Sequence, residues 1–383
     1  MRQNSPVIIG AALIAAAIAS VARPAVAESQ RESLRPLAQE IADVVVKDQK
    51  KSSIAVGAFP AEGRLDNANA GPGIAEDIKS LLQELKIRVD DPNPDLSVQG
   101  TVFKVPDPKN AQMVMIKIKA TITDRLAETK ANLPLDIAIR DTGLIGGILG
   151  VNSSLPPLAT REKRNETLEE SFKNPYFYKK GTLIKSRKDS PYSIELLVTS
   201  VDRAPTDYAG WASVPARTVF KKKGLPFVDI RPNEVYAIRI HNDQPDQLDA
   251  AVTVSIDGIN VFHFSDIRDP TTNQPKYTHY IIDPGSSVIT GWHKTNDVSD
   301  SFLVTGYGKG AAGLIHADGS KIGVITVQFA IAWSGDDVPD VEKGARDGGN
   351  ETGFGPPTRT GTNEATRHVG VVRDEISVRY TRP

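Results

Sequence analysis

Residues 114–123 alternate in character. Val114, Ile116, Ile118, Ala120 and Ile122 fall on one side of an extended chain, and Lys117, Lys119, Thr121 and Thr123 fall on the other. A repeat of two is the repeat of a β-strand. One dry and one wet face is the mark of antiparallel strands packed on a single side. Two flanking runs read the same way: Leu96, Val98, Gly100 and Val102 before it, and Leu133, Leu135, Ile137 and Ile139 after it. A dry face needs a cover, and the preceding residues supply two. Leu34, Leu37, Ile41 and Val45 recur at helical spacing within 31–49, and Ile74, Ile78, Leu81, Leu82 and Leu85 line a second helix. Between them Ser53–Phe59 reads as a short apolar strand, and Asp91-Pro92-Asn93-Pro94 breaks the chain before the alternating runs. Helix, strand, helix, then strands gives an α+β domain over residues 28–141, two helices on an antiparallel or mixed sheet.

The rest of the chain has a different texture. Residues 142–180 read as a connector: Gly143, Gly146, Gly147 and Gly150 interrupt an apolar stretch, Pro156-Pro157 follows, and a short charged helix spans Glu162–Phe172. Residues 181–334 read as an all-β, sandwich-like domain of many short strands. Among these are Ile194–Val198, the alternating runs around Tyr236–Ile240 and Val252–Ile256, and further strands at Tyr277–Ile282, Ser287–Thr290, Ser301–Tyr307 and Gly323–Trp333. Asp257-Gly258 is the two-residue turn of a hairpin into Ile259–Phe264. Residues 335–368 are a Gly- and acid-rich loop, and 369–383 resume strand alternation, with Ile376, Val378 and Tyr380 on one face.

Three stretches together carry a resemblance: Ser53–Phe59, Gly73-Ile74-Ala75-Glu76-Asp77-Ile78 and Pro94-Asp95-Leu96-Ser97-Val98-Gln99-Gly100-Thr101-Val102. Over about residues 34–140 the chain resembles the periplasmic domain shared by curli-secretion lipoproteins and the lipoprotein activators of penicillin-binding proteins. The resemblance implies an envelope protein that works by protein contact, without catalysis. Members of that family are anchored through a lipidated cysteine, and this chain has no cysteine. No long amphipathic hairpin pair for a pore is evident either, so the resemblance bears on fold more than on a pore or activator role. The second half, at Glu234–Asp243 and Ser299–Thr305, is similar to uncharacterised exported bacterial proteins.

Residues 1–27 read as a cleavable secretory signal: Arg2, an apolar run over Val7–Ala22, then Ala25-Val26-Ala27. A size of 383 residues without a cysteine fits a bacterial envelope better than an oxidising animal compartment. The expected product is periplasmic or secreted, soluble, with no lipid anchor and no later membrane span. Arg2 and Arg23 leave with the signal, so 46 basic and 47 acidic residues become 44 and 47, a net charge near −3. That balance argues against nucleic acid as a partner.

Candidate chemistry is sparse. Gly308-Lys309-Gly310-Ala311-Ala312-Gly313 matches a dinucleotide pattern, but Asp318-Gly319 arrives before a helix could hold the pyrophosphate. Asn69–Gly73 opens a helix, yet Glu76 and Asp77 in its first turn would repel an anion. Asp91, Asn93 and Asp95 imitate a calcium loop, but Leu96 stands where Gly is needed. The six histidines, His241, His263, His279, His293, His316 and His368, show no helical metal spacing. His263 and His279 would face each other if Ile259–Phe264 paired with Tyr277–Ile282. No catalytic, cofactor or metal residue is therefore assigned. Trp292, His293, His263, His279, Tyr176 and Tyr178 are the candidate contact surface, because aromatics on loops are enriched in interfaces. The expected function is an exported, non-catalytic envelope protein that binds protein or envelope polymer. The alternatives are an extracytoplasmic hydrolase with carboxylates on sandwich loops, and a self-assembling envelope component.

Overall fold

The computed structural model describes residues 30–61, 71–89, 91–271, 273–305, 323–335, 337–343 and 367–380. The signal segment, the glycine-rich motif at 308–313, His316 and most of the 335–368 loop lie outside them.

Helix α1 (Gln30–Asp43) buries Leu34, Leu37, Ala38 and Ile41 and runs on into a wide turn at Val44–Asp48. Helix α2 (Pro72–Glu84) starts on a proline, whose missing N–H would be unpaired there in any case. Around them lie β1 (Ala55–Val56), β2 (Leu96–Asp107), β3 (Asn110–Asp124) and β4 (Thr129–Ile139). These form one sheet in chain order, with β1 parallel to β2 and the remaining pairs antiparallel. Ile116, Ile118 and Ile122 of β3 join the helices' leucines and isoleucines in one apolar cluster. Gly100 cannot carry a side chain, because the Phe59 ring and the Lys119 carbonyl occupy the place of its Cβ. The expected strand at 53–59 is shortened to β1.

The stretch read as a connector is folded into this core. It contains α3 (Thr142–Leu149), β5 (Ser153–Ser154) and α4 (Arg161–Lys173). Ile145, Ile148, Leu149, Val151, Leu155 and Leu168 belong to the same cluster as the four-stranded sheet. Helix α3 escapes a reading by propensity because glycine costs about 1 kcal/mol per position in a helix. Local signals still bound it: Asp141 accepts from the Leu144 N–H at 2.8 Å, and Gly150 closes the helix in the left-handed region at φ 60°. Gly146 is needed for packing, since the Glu375 carboxylate occupies its Cβ position.

Two larger sheets follow. Their first members are β6 (Tyr178–Lys180), β7 (Leu183–Lys185), β8 (Tyr192–Ser200), β9 (Val219–Lys222), β10 (Leu225–Val228), β11 (Glu234–Asn242), β12 (Asp249–Ile256) and β13 (Ile259–Asn260). The remainder are β14 (Tyr280–Ile282), β15 (Gly285–Ile289), β16 (Gly291–His293), β17 (Ser299–Leu303), β18 (Val324–Trp333), β19 (His368–Val369) and β20 (Asp374–Tyr380). One sheet runs β13-β12-β18-β20-β10-β9, with β14 on β12, β19 on β18 and β5 on β20. The other runs β16-β17-β11-β8-β7-β6, with β15 on β11. Ile194, Leu196, Tyr236, Ile238 and Ile240 of the second sheet share one core with Val252, Val254, Ile325, Val327, Ile376 and Val378 of the first. Tyr192 stacks on Phe329 across the two sheets at 4.6 Å. Short helix α5 (Tyr208–Ser213) lays Trp211 on the outer side of the second sheet, against Leu197, Val235 and Ala237.

The Asp257-Gly258 turn is present, with φ of 53° and 82° and Ile256 opposite Ile259. The strand after it is shorter than expected. Its backbone curls after Asn260, where the His263 and Ser265 N–H groups bond back to the carbonyls of Asn260 and Phe262. Strand β14 accordingly pairs with β12 and not with this segment. The final strand β20 lies inside the first sheet, antiparallel to β18 and parallel to β10. The chain is thus mixed α+β, with few helices and three mostly antiparallel sheets. No helix among the described residues is long and apolar enough to cross a membrane.

Candidate contact surface

Three of the candidates, Trp292, His293 and His263, gather near one seam. Trp292 packs edge-on against Phe264 at 5.1 Å and Phe302 at 5.5 Å. His293 is 2% exposed, its ring lies 5.0 Å from Phe262, and its Nδ1 is 3.0 Å from the Ser265 hydroxyl. Burial pushes this imidazole down to about 4, so it is neutral at neutral pH. His263 packs edge-on against Phe264 at 4.8 Å and places its Nε2 3.0 Å from the Glu76 carboxylate of α2. Nearby, Gln274 donates to Ser80 Oγ and Glu84 Oε1, both at 3.1 Å. Gly73 of α2 meets the backbone of Gly258 so closely that no Cβ fits between them. Trp292, His293 and His263 therefore form a filled junction between α2 and the β12–β13 turn region. His279 stands apart from His263, bonded to the Thr278 hydroxyl at 2.8 Å, because the strand pairing that would have set them opposite is not formed. His241 bonds Glu195 at 3.2 Å, and His368 stacks on Trp333. No three His, Asp or Glu side chains among the described residues could hold a metal ion.

Two buried acids bear on the hydrolase alternative. Asp374 accepts from Ser190 Oγ at 2.9 Å and Ser154 Oγ at 3.2 Å, and burial pushes its carboxyl up to about 7. Glu375 is fully buried, accepts from Gln328 at 2.7 Å and lies against Gly146; burial holds its carboxyl well above the usual range. Neighbours on one strand point to opposite faces. These two acids therefore engage different surroundings and do not converge on a common point.

Tyr176 and Tyr178 lie elsewhere, and their surroundings are open. Strand β6 is the last of one sheet and β9 the last of the other. The two edges meet: Lys179 of β6 donates to the Val219 carbonyl of β9 at 2.9 Å. The β9–β10 hairpin turns on Lys223-Gly224, with φ of 51° and 83°, and presents Lys221 and Lys222 beside it. Lys221 Nζ lies 5.7 Å from the Tyr176 ring, and Lys222 Nζ lies 5.3 Å from Phe227, on which Phe220 stacks. Tyr176 is 50% exposed and Phe220 39%, while Tyr178 is half-buried.

Segments 173–188 and 217–228, which carry these two hairpins, contain ten Lys or Arg and no Asp or Glu. Among the described residues only Lys173, Arg187 and Arg217 of the ten reach a carboxylate, Glu169, Asp189 and Glu234 respectively. Sequence reasoning picked the tyrosines and missed the lysines, because it averaged charge over the whole chain. The two acid-free runs were the available signal, but their meeting depends on two strand edges forty residues apart.

Neither a protein-family model, nor a curated protein, nor a solved structure matches this chain.

Proposed function

We propose that this is an exported, two-domain, non-catalytic protein of the cell envelope, which works by binding through the basic aromatic face around Tyr176. The carrying observation is that face: hairpin lysines with no carboxylate partner among the described residues, set with exposed aromatic rings on two adjoining sheet edges. The other candidates support the reading by being occupied, since His263, His293 and His241 each hold structural partners. Export rests on residues 1–27, and the resemblance of residues 34–140 to envelope lipoprotein domains agrees with it. With no cysteine in the chain, attachment to the envelope falls to surface contacts. The α+β domain and the sandwich-like domain form the frame, with α3 and α4 lodged between sheets that belong to each.

The test is sedimentation of the chain from Glu28 onward with bacterial envelope fragments. Binding is expected at low salt and is expected to fall steeply as salt rises, because a lysine-led contact is screened. An unbound chain at low salt would sink the proposal. Amino-terminal sequencing of the exported chain is expected to begin at Glu28.

A further inference from the structure

We infer that the partner of the basic aromatic face is a bilayer surface carrying anionic phospholipid headgroups; the inference rests on the binding role proposed above. Three features of the face select this partner. First, the six cations of the β6–β7 and β9–β10 hairpins, Lys179, Lys180, Lys185, Lys221, Lys222 and Lys223, are all lysines. A lysine ammonium is a compact, strongly hydrated point charge, whereas arginine's planar fork suits paired contacts with a particular carboxylate or phosphate. Lysines in number fit a diffuse plane of negative charge, which attracts each basic residue near it.

Second, the charges do not stand alone. Tyr176 is exposed beside Lys221 on one side of β9, and Phe220 is exposed on the other side with Lys222. Edge lysines by themselves guard a sheet against pairing with another chain. Guarding needs only charge, and exposing two large rings among the guards works against it. At a membrane surface the same rings are useful, because aromatic side chains settle at the headgroup level where one side is wet and the other apolar. Third, the cations come from two hairpins, β6–β7 and β9–β10, whose strands end both sheets. A rigid frame therefore presents them together, without a segment having to order on binding.

Sedimentation with lipid vesicles tests this. The chain from Glu28 onward is mixed with vesicles of phosphatidylcholine alone, or with about 30% phosphatidylglycerol added, in about 0.1 M salt. Binding is expected only to the vesicles containing phosphatidylglycerol. The triple variant K221Q/K222Q/K223Q is expected to bind roughly 100-fold more weakly, since each lysine near the surface contributes about fivefold. K221R/K222R/K223R is expected to retain binding. The double change Tyr176→Ser with Phe220→Ser is expected to weaken binding by a factor that does not grow with salt. All these side chains are on the surface, so unchanged circular dichroism is expected to show intact folding.

Failure to bind phosphatidylglycerol vesicles, equal binding to both vesicle types, or wild-type binding by the triple glutamine variant would each overturn the inference. If vesicles fail while envelope fragments still retain the chain in a salt-sensitive way, the binding role stands and the partner is an acidic protein or polysaccharide instead. Retention on single-stranded nucleic acid with none on vesicles would likewise reject lipid as the partner.

Discussion

Burial disfavours the charged form of both Asp374 and His293, and the consequences have opposite sign. An unfolded chain releases the Asp374 proton near pH 4, whereas the folded chain holds it up to about 7. Between those values the native state binds more protons, so this group's contribution to stability declines as pH rises. His293 acquires its proton near pH 6.5 when unfolded, but only near 4 when folded. Its contribution therefore declines as pH falls through that range. In the wild type the two trends oppose each other. The variant D374N is expected to gain stability relative to wild type from pH 4 to 7, by about 2–4 kcal/mol in all. The variant His293→Phe is expected to gain relative stability from pH 6.5 down to 4. Urea unfolding across this range measures both; difference curves flat with pH would show that neither group titrates as described.

The segment between α3 and α4 explains how two kinds of layer are joined at the level of elements. Strand β20 pairs with β5 at residues 374–375 and with β10 at 379–380, leaving a gap at Ser377. Asn152 closes it: its Oδ1 accepts from the Ser377 N–H at 3.0 Å and its Nδ2 donates to the Ser377 carbonyl at 3.3 Å. Asn165 of α4 does the same for the four-stranded sheet, bonding the Val114 N–H and the Gln112 carbonyl of β3. Both asparagines sit in Asn-x-Ser/Thr sequons, and both are buried, which bars glycosylation of the folded chain. Asn152→Ala leaves a buried strand N–H unpaired and is expected to cost about 1–3 kcal/mol. Chemical denaturation with an unchanged midpoint would show that the gap is bridged otherwise. Strand alternation, the hairpin at Asp257-Gly258 and the leucine stripe of α1 were legible because period and turn chemistry are local. Helix α3 was not legible, because its glycines make room for distant side chains, Val372 at Gly143, Glu375 at Gly146 and Gln328 at Gly147, rather than serving the helix.

Across the whole molecule, α2 touches the later sheets where Gly73 meets Gly258 and Glu76 meets His263. Gly73→Ala would favour the helix by about 1 kcal/mol on propensity alone. The backbone carbonyl of Gly258 stands in the way, so net destabilisation of about 1–3 kcal/mol is expected. A higher midpoint of unfolding would show that the two regions are not pressed together. The same scale separates the two candidate surfaces. Trp292, His293 and His263 had the right chemistry for contact, and the contact they make is internal. Tyr176 had no better claim in sequence, yet it emerges beside Lys221 on an open face. By itself the sequence determined the apolar stripes of α1 and α2, the alternation of the longer strands and the absence of any disulfide, since these follow from neighbours along the chain. Only the tertiary structure decided that β20 enters the middle of a sheet, that α3 and α4 fill a core, and that two lysine-bearing hairpins meet edge to edge. Burial and proximity belong to residues far apart in the chain, and no local repeat encodes them.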